Sequence, residues 1–265
     1  QFYSVALHPN NGSEYVLGGT QDNGTWNISG SGIQSGQQRV GGDGGFTHID
    51  QLDPSYQFTA TVYNNIYRST DGGSSWAYYA SHEENDDDTG LFINPSTIDA
   101  TNKVFYSAVN STSILRIDDY RSSVANKTLM NVNLGSTASA FKISPHNNGV
   151  LFVGTVNGRV FKITDALTSS YSVSEIGGST MSGYISSIDI GKDDNQILTT
   201  ISNYGVTSVW ETISGGGSNG WFDVEGDLPD MPIRWGLYNR DNFNQVIVAT
   251  ELGTWVSDDI ASSSI

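Results

Sequence analysis

No cysteine occurs among the 265 residues. A disulfide framework and a thiolate metal site are therefore both excluded, and the redox state of the compartment leaves no mark on the chain. Basic residues are scarce: 12 Lys and Arg stand against 28 Asp and Glu, a net charge of −16. Such a surface has no cationic patch with which to neutralise phosphates, so no nucleic-acid partner and no anionic membrane surface is expected. No apolar run approaches the ~18 residues of a membrane helix, so no membrane insertion is expected either. The four histidines, His8, His48, His82 and His146, are dispersed without the H-x-H or H-E-x-x-H spacing of a metal site. The acidic run from His82 through Glu83, Glu84, Asn85, Asp86 and Asp87 to Asp88 lacks the alternating ligands of a calcium loop. It reads as a solvated, self-repelling loop. No G-x-S-x-G nucleophile motif is present, and Ser214-Gly215-Gly216-Gly217-Ser218 reads as a flexible hairpin tip. No cofactor is implied.

What the chain has instead is glycine (30 residues) and aromatic side chains (13 Tyr, 10 Phe and 6 Trp), the profile of many short strands joined by tight turns. A strand, a turn, a second strand and a Gly or Asn hairpin recur along the chain. The first turns fall at Pro9, Pro54, Pro95, Pro145, Asp193 and Asp241, spaced 41 to 50 residues apart, within the range of propeller blades. The second punctuation marks are Gln21-Asp22-Asn23-Gly24, Tyr63-Asn64-Asn65, Asn110-Ser111, Val156-Asn157-Gly158, Asn203-Tyr204-Gly205 and Glu251-Leu252-Gly253. They are hairpin turns whose central residues need positive φ.

The expected fold is all-β: one β-propeller domain over residues 1–265, with about six blades of three to four antiparallel strands. Residues 4–7, 46–49, 91–93, 140–143, 186–190 and 235–238 are the expected innermost strands. Fourth strands are expected near residues 128–134 and 221–225. The closing blade, residues 233–260, supplies three strands. Either it is three-stranded or it is completed by sequence outside this chain, which would make the chain part of a longer protein with other domains.

One segment states the hairpin in full: Arg68-Ser69-Thr70-Asp71-Gly72-Gly73-Ser74-Ser75-Trp76. The spacing lets the Asp71 carboxylate accept N–H groups of its own turn, while glycines take φ values other residues avoid. The segment resembles an Asp-box, or BNR repeat, with Ser69, Asp71, Gly73 and Trp76 at its structural positions. In the same way, Gly18-Gly19-Thr20-Gln21-Asp22-Asn23-Gly24-Thr25-Trp26 and Gly41-Gly42-Asp43-Gly44-Gly45-Phe46 resemble the opening of secreted bacterial BNR-repeat propellers, related in fold to the sortilin and xyloglucanase propellers. The resemblance implies a secreted or cell-surface protein in which Asp22 and Asp43 lie near each other. A sialidase is not signalled: its Arg-Ile-Pro motif is missing and the seven arginines are scattered. The xyloglucanase family places its cleft between two propellers, and this chain has one. The sortilin-like receptors carry cysteine-rich modules that are missing here.

The expected function is a non-catalytic extracellular interaction module that binds a glycan or a protein segment at one propeller face. Its expected ligand-binding residues are Gln21, Asp22, Asn23, Trp26, Asp43, Arg234 and Trp235, aromatic platforms with polar anchors. The alternative is a glycoside hydrolase with Asp22 and Asp43 as its paired carboxylates. The plainest reading of those two aspartates is that they tie turns together by hydrogen bonding, while the glycines around them admit either a ligand or a neighbouring blade.

Overall fold

The computed structural model describes residues 2–30, 36–82, 88–177, 180–217 and 219–262. The chain divides into two compact units, Gln1–Asn133 and Leu134–Ile265. In the first unit, the first sheet is β1 (Phe2–Leu7), β2 (Val16–Thr20), β3 (Gly24–Ile28) and β4 (Gln37–Val40). The second is β5 (Thr47–Ile49), β6 (Gln57–Ala60), β7 (Ile66–Ser69) and β8 (Ala77–Ala80), and the third is β9 (Ser96–Asp99), β10 (Val104–Ala108), β11 (Ser113–Asp118) and β12 (Asn126–Asn131). In the second unit, the fourth sheet is β13 (Ala138–Ile143), β14 (Leu151–Thr155), β15 (Val160–Thr164) and β16 (Ser172–Glu175). The fifth is β17 (Ile185–Ile190), β18 (Ile197–Ile201), β19 (Val209–Thr212) and β20 (Phe222–Asp223), and the sixth is β21 (Ile233–Asn239), β22 (Asn242–Thr250) and β23 (Gly253–Ser257). Every sheet is an antiparallel meander in chain order, so the fold is a β-propeller of six blades with three strands in the last.

Five of the expected innermost strands coincide with β1, β5, β13, β17 and β21, and the third is displaced. Residues 91–93 form a bend, and the inner strand is β9, which begins directly after Pro95. Proline has no N–H to donate, so it suits the residue before a strand, where its carbonyl accepts the Ala108 N–H at 3.2 Å. The turn that follows β9 is built without proline. Asp99 accepts the Asn102 N–H at 3.0 Å and Lys103 takes the left-handed region at φ 58°.

Two devices recur. Four inner strands slip register near their start, between Phe2 and Ser4, Ala138 and Ala140, Ile185 and Ser187, and Ile233 and Trp235, and β21 slips again between Tyr238 and Asn239; each slip is a bulge that re-aims a side chain. Each outer hairpin of the second to fifth sheets also donates one N–H back to the inner turn of its own sheet: Gly72 to Ser55 at 3.0 Å, Tyr120 to Lys103 at 2.9 Å, Ala166 to Gly149 at 2.8 Å and Gly215 to Asn195 at 2.9 Å. Such bonds satisfy turn donors that have no partner in the strand ladders.

The core of the first unit gathers Phe58, Phe105 and Tyr120, with ring centroids 5.6 and 5.0 Å from Phe58. The second unit has one apolar cluster around Phe152, Ile185 and Trp221 and another around Leu198, Tyr238 and Val248.

His48 sits at the seam between the second and third sheets, 2.8 Å from Ser96 Oγ and edge-on to Phe105 at 5.9 Å. Burial pushes its imidazole down to about 4. The unfolded chain titrates near 6.5 and so takes up the proton first. The contribution of His48 is therefore complete above that value and is lost as the pH falls toward 4, by about 3 kcal/mol at most. Urea unfolding of the wild type and His48→Gln should show the wild type more stable at pH 7 and the gap closing by pH 4.5. A gap that does not change with pH would remove His48 from this role.

Candidate functional site

The hairpin between β2 and β3 turns at residues 21–23, with Asp22 at φ 57° and Gly24 at φ 73°. Asp43, on the link to the second sheet, reaches back to it. Its Oδ1 accepts the Asp22 backbone N–H at 2.7 Å, and Gly24 and Asp43 form a parallel bridge. Gly44 N donates to Thr20 O at 2.9 Å. The structure thus brings Asp22 and Asp43 together, with the Asp43 carboxylate in contact with main chain. Burial first, and then the charges of Asp43 and Asp22, raise the Tyr3 phenol above its ordinary range. The glycines serve the neighbouring sheet: a Cβ on Gly19 would lie 2.0 Å from Gly45 O, and one on Gly44 would lie 2.3 Å from Gly24 O.

Trp26 lies on β3 across from Gly18. Its indole N–H is held by Asn23 O at 2.5 Å, and the same oxygen accepts Gln38 Nε2 at 2.8 Å. Asn23 Nδ2 in turn donates to Gln21 O at 2.9 Å. Phe2 lies over Gly18 from the opposite side, so that a Cβ there would stand 2.5 Å from its ring. The result is an open cleft of about 290 Å³ lined by Phe2, Thr20, Asn23, Trp26, Ile28 and Gly36. Phe2, Thr20 and Ile28 escaped the sequence reading. The signal that could have found them is the period-two face they share with Trp26, which becomes visible only once the strand register is known.

Arg234 and Trp235 belong to the second unit. Arg234 donates to Ser202 Oγ at 2.7 Å and pairs with Glu251 Oε1, whose carboxylate also accepts the Tyr204 hydroxyl at 3.1 Å. The Arg234 guanidinium beside it holds the Glu251 carboxyl below its ordinary range. Trp235 is 42% exposed.

The hairpin at residues 69–76 has the geometry its spacing predicts. Ser69 Oγ accepts the N–H groups of Asp71 and Gly73 at 3.3 and 2.9 Å and donates to Asp71 Oδ1 at 2.8 Å. Asp71 accepts Ser75 N at 2.8 Å and Ser75 Oγ at 2.5 Å, and these two bonds hold its carboxyl down at about 2. Trp76 donates to Gly73 O at 3.2 Å. The side chains of Ser69, Asp71, Ser75 and Trp76 all bond inside the turn.

The hydroxyl cap of this hairpin recurs after β19, where the sequence does not signal it. Thr212 Oγ1 accepts the N–H groups of Ser214 and Gly216 at 3.2 and 3.0 Å, the offsets that Ser69 uses. The indole of Trp221 reaches Ile176 O at 2.6 Å. Extra residues before Trp221 and a serine in the place of Asp71 hide the pattern. Ser218 at this tip and residues 83–87 of the acidic run lie outside the described residues. Among the described residues no group of three or more His, Asp and Glu is placed to hold a metal ion.

No family model and no curated relative matches the chain. Among solved structures it is similar to the GH74 enzyme of Niastella koreensis, with a TM-score of 0.71 and 18% identity over 99% of this chain and 46% of that one. A likeness at that identity is one of fold. The chain spans less than half the length of that enzyme.

Proposed function

We propose that this protein is a non-catalytic interaction module, secreted or held at the cell surface, that binds a glycan in the cleft of its first sheet. One observation carries the reading: the Asp43 carboxylate accepts the Asp22 N–H at 2.7 Å. The Asp43 carboxylate is thereby engaged as a peg for the turn through the Asp22 main chain, whereas a general acid or base needs a carboxyl free to exchange protons with substrate. The peg steadies the turn beside Trp26, and the bond from Trp26 to Asn23 O fixes the indole. Phe2 and Trp26 then offer apolar faces to a sugar ring, with Asn23 and Gln21 beside them as polar groups and Asp22 and Asp43 holding the turn. A protein segment is the second reading. It is favoured by Val5 and Leu7, 52% and 65% exposed, which extend the apolar face along β1. Hydrolysis through Asp22 and Asp43 draws on the GH74 likeness, but fold alone does not carry an activity.

A polysaccharide screen that reads both affinity and reducing-end release tests this. Trp26→Ala should weaken the ligand by roughly 1–3 kcal/mol, about fivefold to 150-fold. Asp43→Asn, which keeps an acceptor oxygen for the Asp22 N–H, should bind nearly as wild type. Release of reducing ends by the wild type that both Asp22→Asn and Asp43→Asn abolish would establish the hydrolase in place of the binding module.

A further inference from the structure

The sequence holds five Asn-Gly pairs, beginning at Asn11, Asn23, Asn148, Asn157 and Asn219. Glycine after asparagine is the pairing most open to deamidation, because no Cβ on the glycine shields its nitrogen from the carboxamide carbon. Attack needs a glycine amide free of hydrogen bonding, a carboxamide free to turn, and room for the main chain to move.

The fold withholds at least one of these at four of the pairs. Asn23 Nδ2 donates to Gln21 O at 2.9 Å, and Gly24 is buried in the β2–β3 ladder, where a Cβ would stand 2.1 Å from Val40 O. Gly149 is buried too, and its carbonyl accepts Ala166 N at 2.8 Å, which ties that turn to the next hairpin. Asn157 Oδ1 accepts Thr155 Oγ1 at 2.7 Å, and Gly158 N donates to Thr155 O at 3.3 Å. Gly220 N donates to Gly217 O at 3.2 Å, and a Cβ on Gly220 would lie 2.3 Å from Gly216 O. The Asp-Gly pairs, which react through the same ring, are held in the same way: Gly44 N donates to Thr20 O at 2.9 Å and Gly72 N to Ser55 O at 3.0 Å.

Asn11 differs. It stands in the turn between β1 and β2, where residues 10–14 are all exposed, the kind of loop tip at which change concentrates. Ser13 N closes the turn on Asn10 O at 3.0 Å. Among the described residues, neither the Asn11 carboxamide nor the Gly12 N–H has a hydrogen-bond partner. Gly12 sits at φ 79° with nothing within 4 Å of a Cβ position.

We propose that Asn11 is the residue at which this protein deamidates. Hydroxide takes the proton of Gly12 N, and the nitrogen attacks Asn11 Cγ. The new N–Cγ bond closes a succinimide, and the carboxamide nitrogen takes up a proton from water and leaves as ammonia. Water then adds to either imide carbonyl and the ring C–N bond to that carbonyl breaks, leaving an aspartyl or an isoaspartyl link. Neither an oxidant nor an enzyme is required. The product adds one negative charge to a chain already at −16. The pairing of β1 with β2 resumes where His8 N donates to Tyr15 O at 3.3 Å, so the change stays within the turn.

Peptide mass mapping of the folded chain, held in mildly alkaline buffer and sampled over weeks, tests this. Acid should appear at position 11 several times faster than at Asn23, Asn148, Asn157 or Asn219. In urea, where every turn is open, the rates at all these positions should converge. Gly12→Ala should slow the reaction at Asn11, since the new methyl group crowds the attacking nitrogen. Asn11→Gln, whose longer side chain closes a ring poorly, should abolish it and leave the other rates unchanged. Should Gly12→Ala fail to fold, Asn11→Gln and the urea comparison decide. A different pair leading in the folded chain, or the same order and spacing of rates in urea, would overturn the proposal. Glycan binding at the first sheet is read separately, so either proposal can fail without the other.

Discussion

Asp189→Ala is expected to destabilise the protein by about 3–5 kcal/mol, the range for removing one partner of a buried ion pair. The side chain is fully buried at the inner strand of the fifth sheet. Its two oxygens accept Arg240 Nη2 at 2.6 and 2.7 Å, Lys142 Nζ at 2.8 Å and the Tyr238 N–H at 2.9 Å. One carboxylate thus ties the fourth, fifth and sixth sheets at a single point. The two cations are 50% and 30% exposed and can turn toward water once released. The Tyr238 N–H cannot, and stranding it gives about 1–3 kcal/mol on its own. The expectation therefore falls toward the lower end of the range. Asp189→Asn keeps an acceptor for Tyr238 and loses the charge, so it should cost about half as much. Urea unfolding at pH 7 measures both, and a loss below about 1 kcal/mol for the alanine variant would show that the cluster adds little beyond its solvated alternatives. The first unit has its own fully buried aspartate, Asp50 in the turn after β5, which accepts Tyr120 OH at 2.8 Å and Arg121 Nε at 2.9 Å.

These two aspartates also mark where sequence reading reaches and where it stops. The repeat is legible because its turns are made by residues with narrow backbone options: Gly24, Gly158 and Gly205 all sit at positive φ between second and third strands. The inner strand of the third sheet lies later than the spacing predicts because Pro95 precedes that strand, unlike the turn residues Pro9 and Pro54, and Asp99 and Asn102 build the turn that follows it. Outer strands such as β4 and β16 were unreadable, since half-exposed polar runs like Gln37–Val40 and Ser172–Glu175 carry no apolar period. The adjacency of Asp22 and Asp43 followed from resemblance to other propellers. Which groups they bond, like the bonds of Asp50 and Asp189, depends on contacts between residues 20 to 70 positions apart, which composition does not encode.

Gly19→Ala is expected to be the second severe change, and it decides what the paired glycine motifs are for. Gly19 has no unusual φ, so its requirement is one of space. An added Cβ would stand 2.0 Å from Gly45 O and 2.7 Å from Gly44 O, both main-chain atoms that no rotamer change can move. To restore ordinary contact, β2 must retreat from the link to the second sheet. That retreat breaks the 2.9 Å bond from Gly44 N to Thr20 O and pulls at the 2.7 Å bond from Gly45 N to Ala60 O. Overpacking of about 1–3 kcal/mol and a stranded amide of about 1 kcal/mol or more give an expected loss of roughly 3–4 kcal/mol. Gly41 supplies the control. It has open space around its Cβ position and no positive φ, so Gly41→Ala should stay within about 0.5 kcal/mol of the wild type. If the glycines instead existed to admit a ligand to the backbone, Gly19→Ala would leave the melting temperature in place and abolish binding. Thermal unfolding of both variants, with glycan affinity measured on whatever remains folded, separates the two: a Gly19→Ala protein that melts with the wild type and no longer binds would return the motif to the ligand.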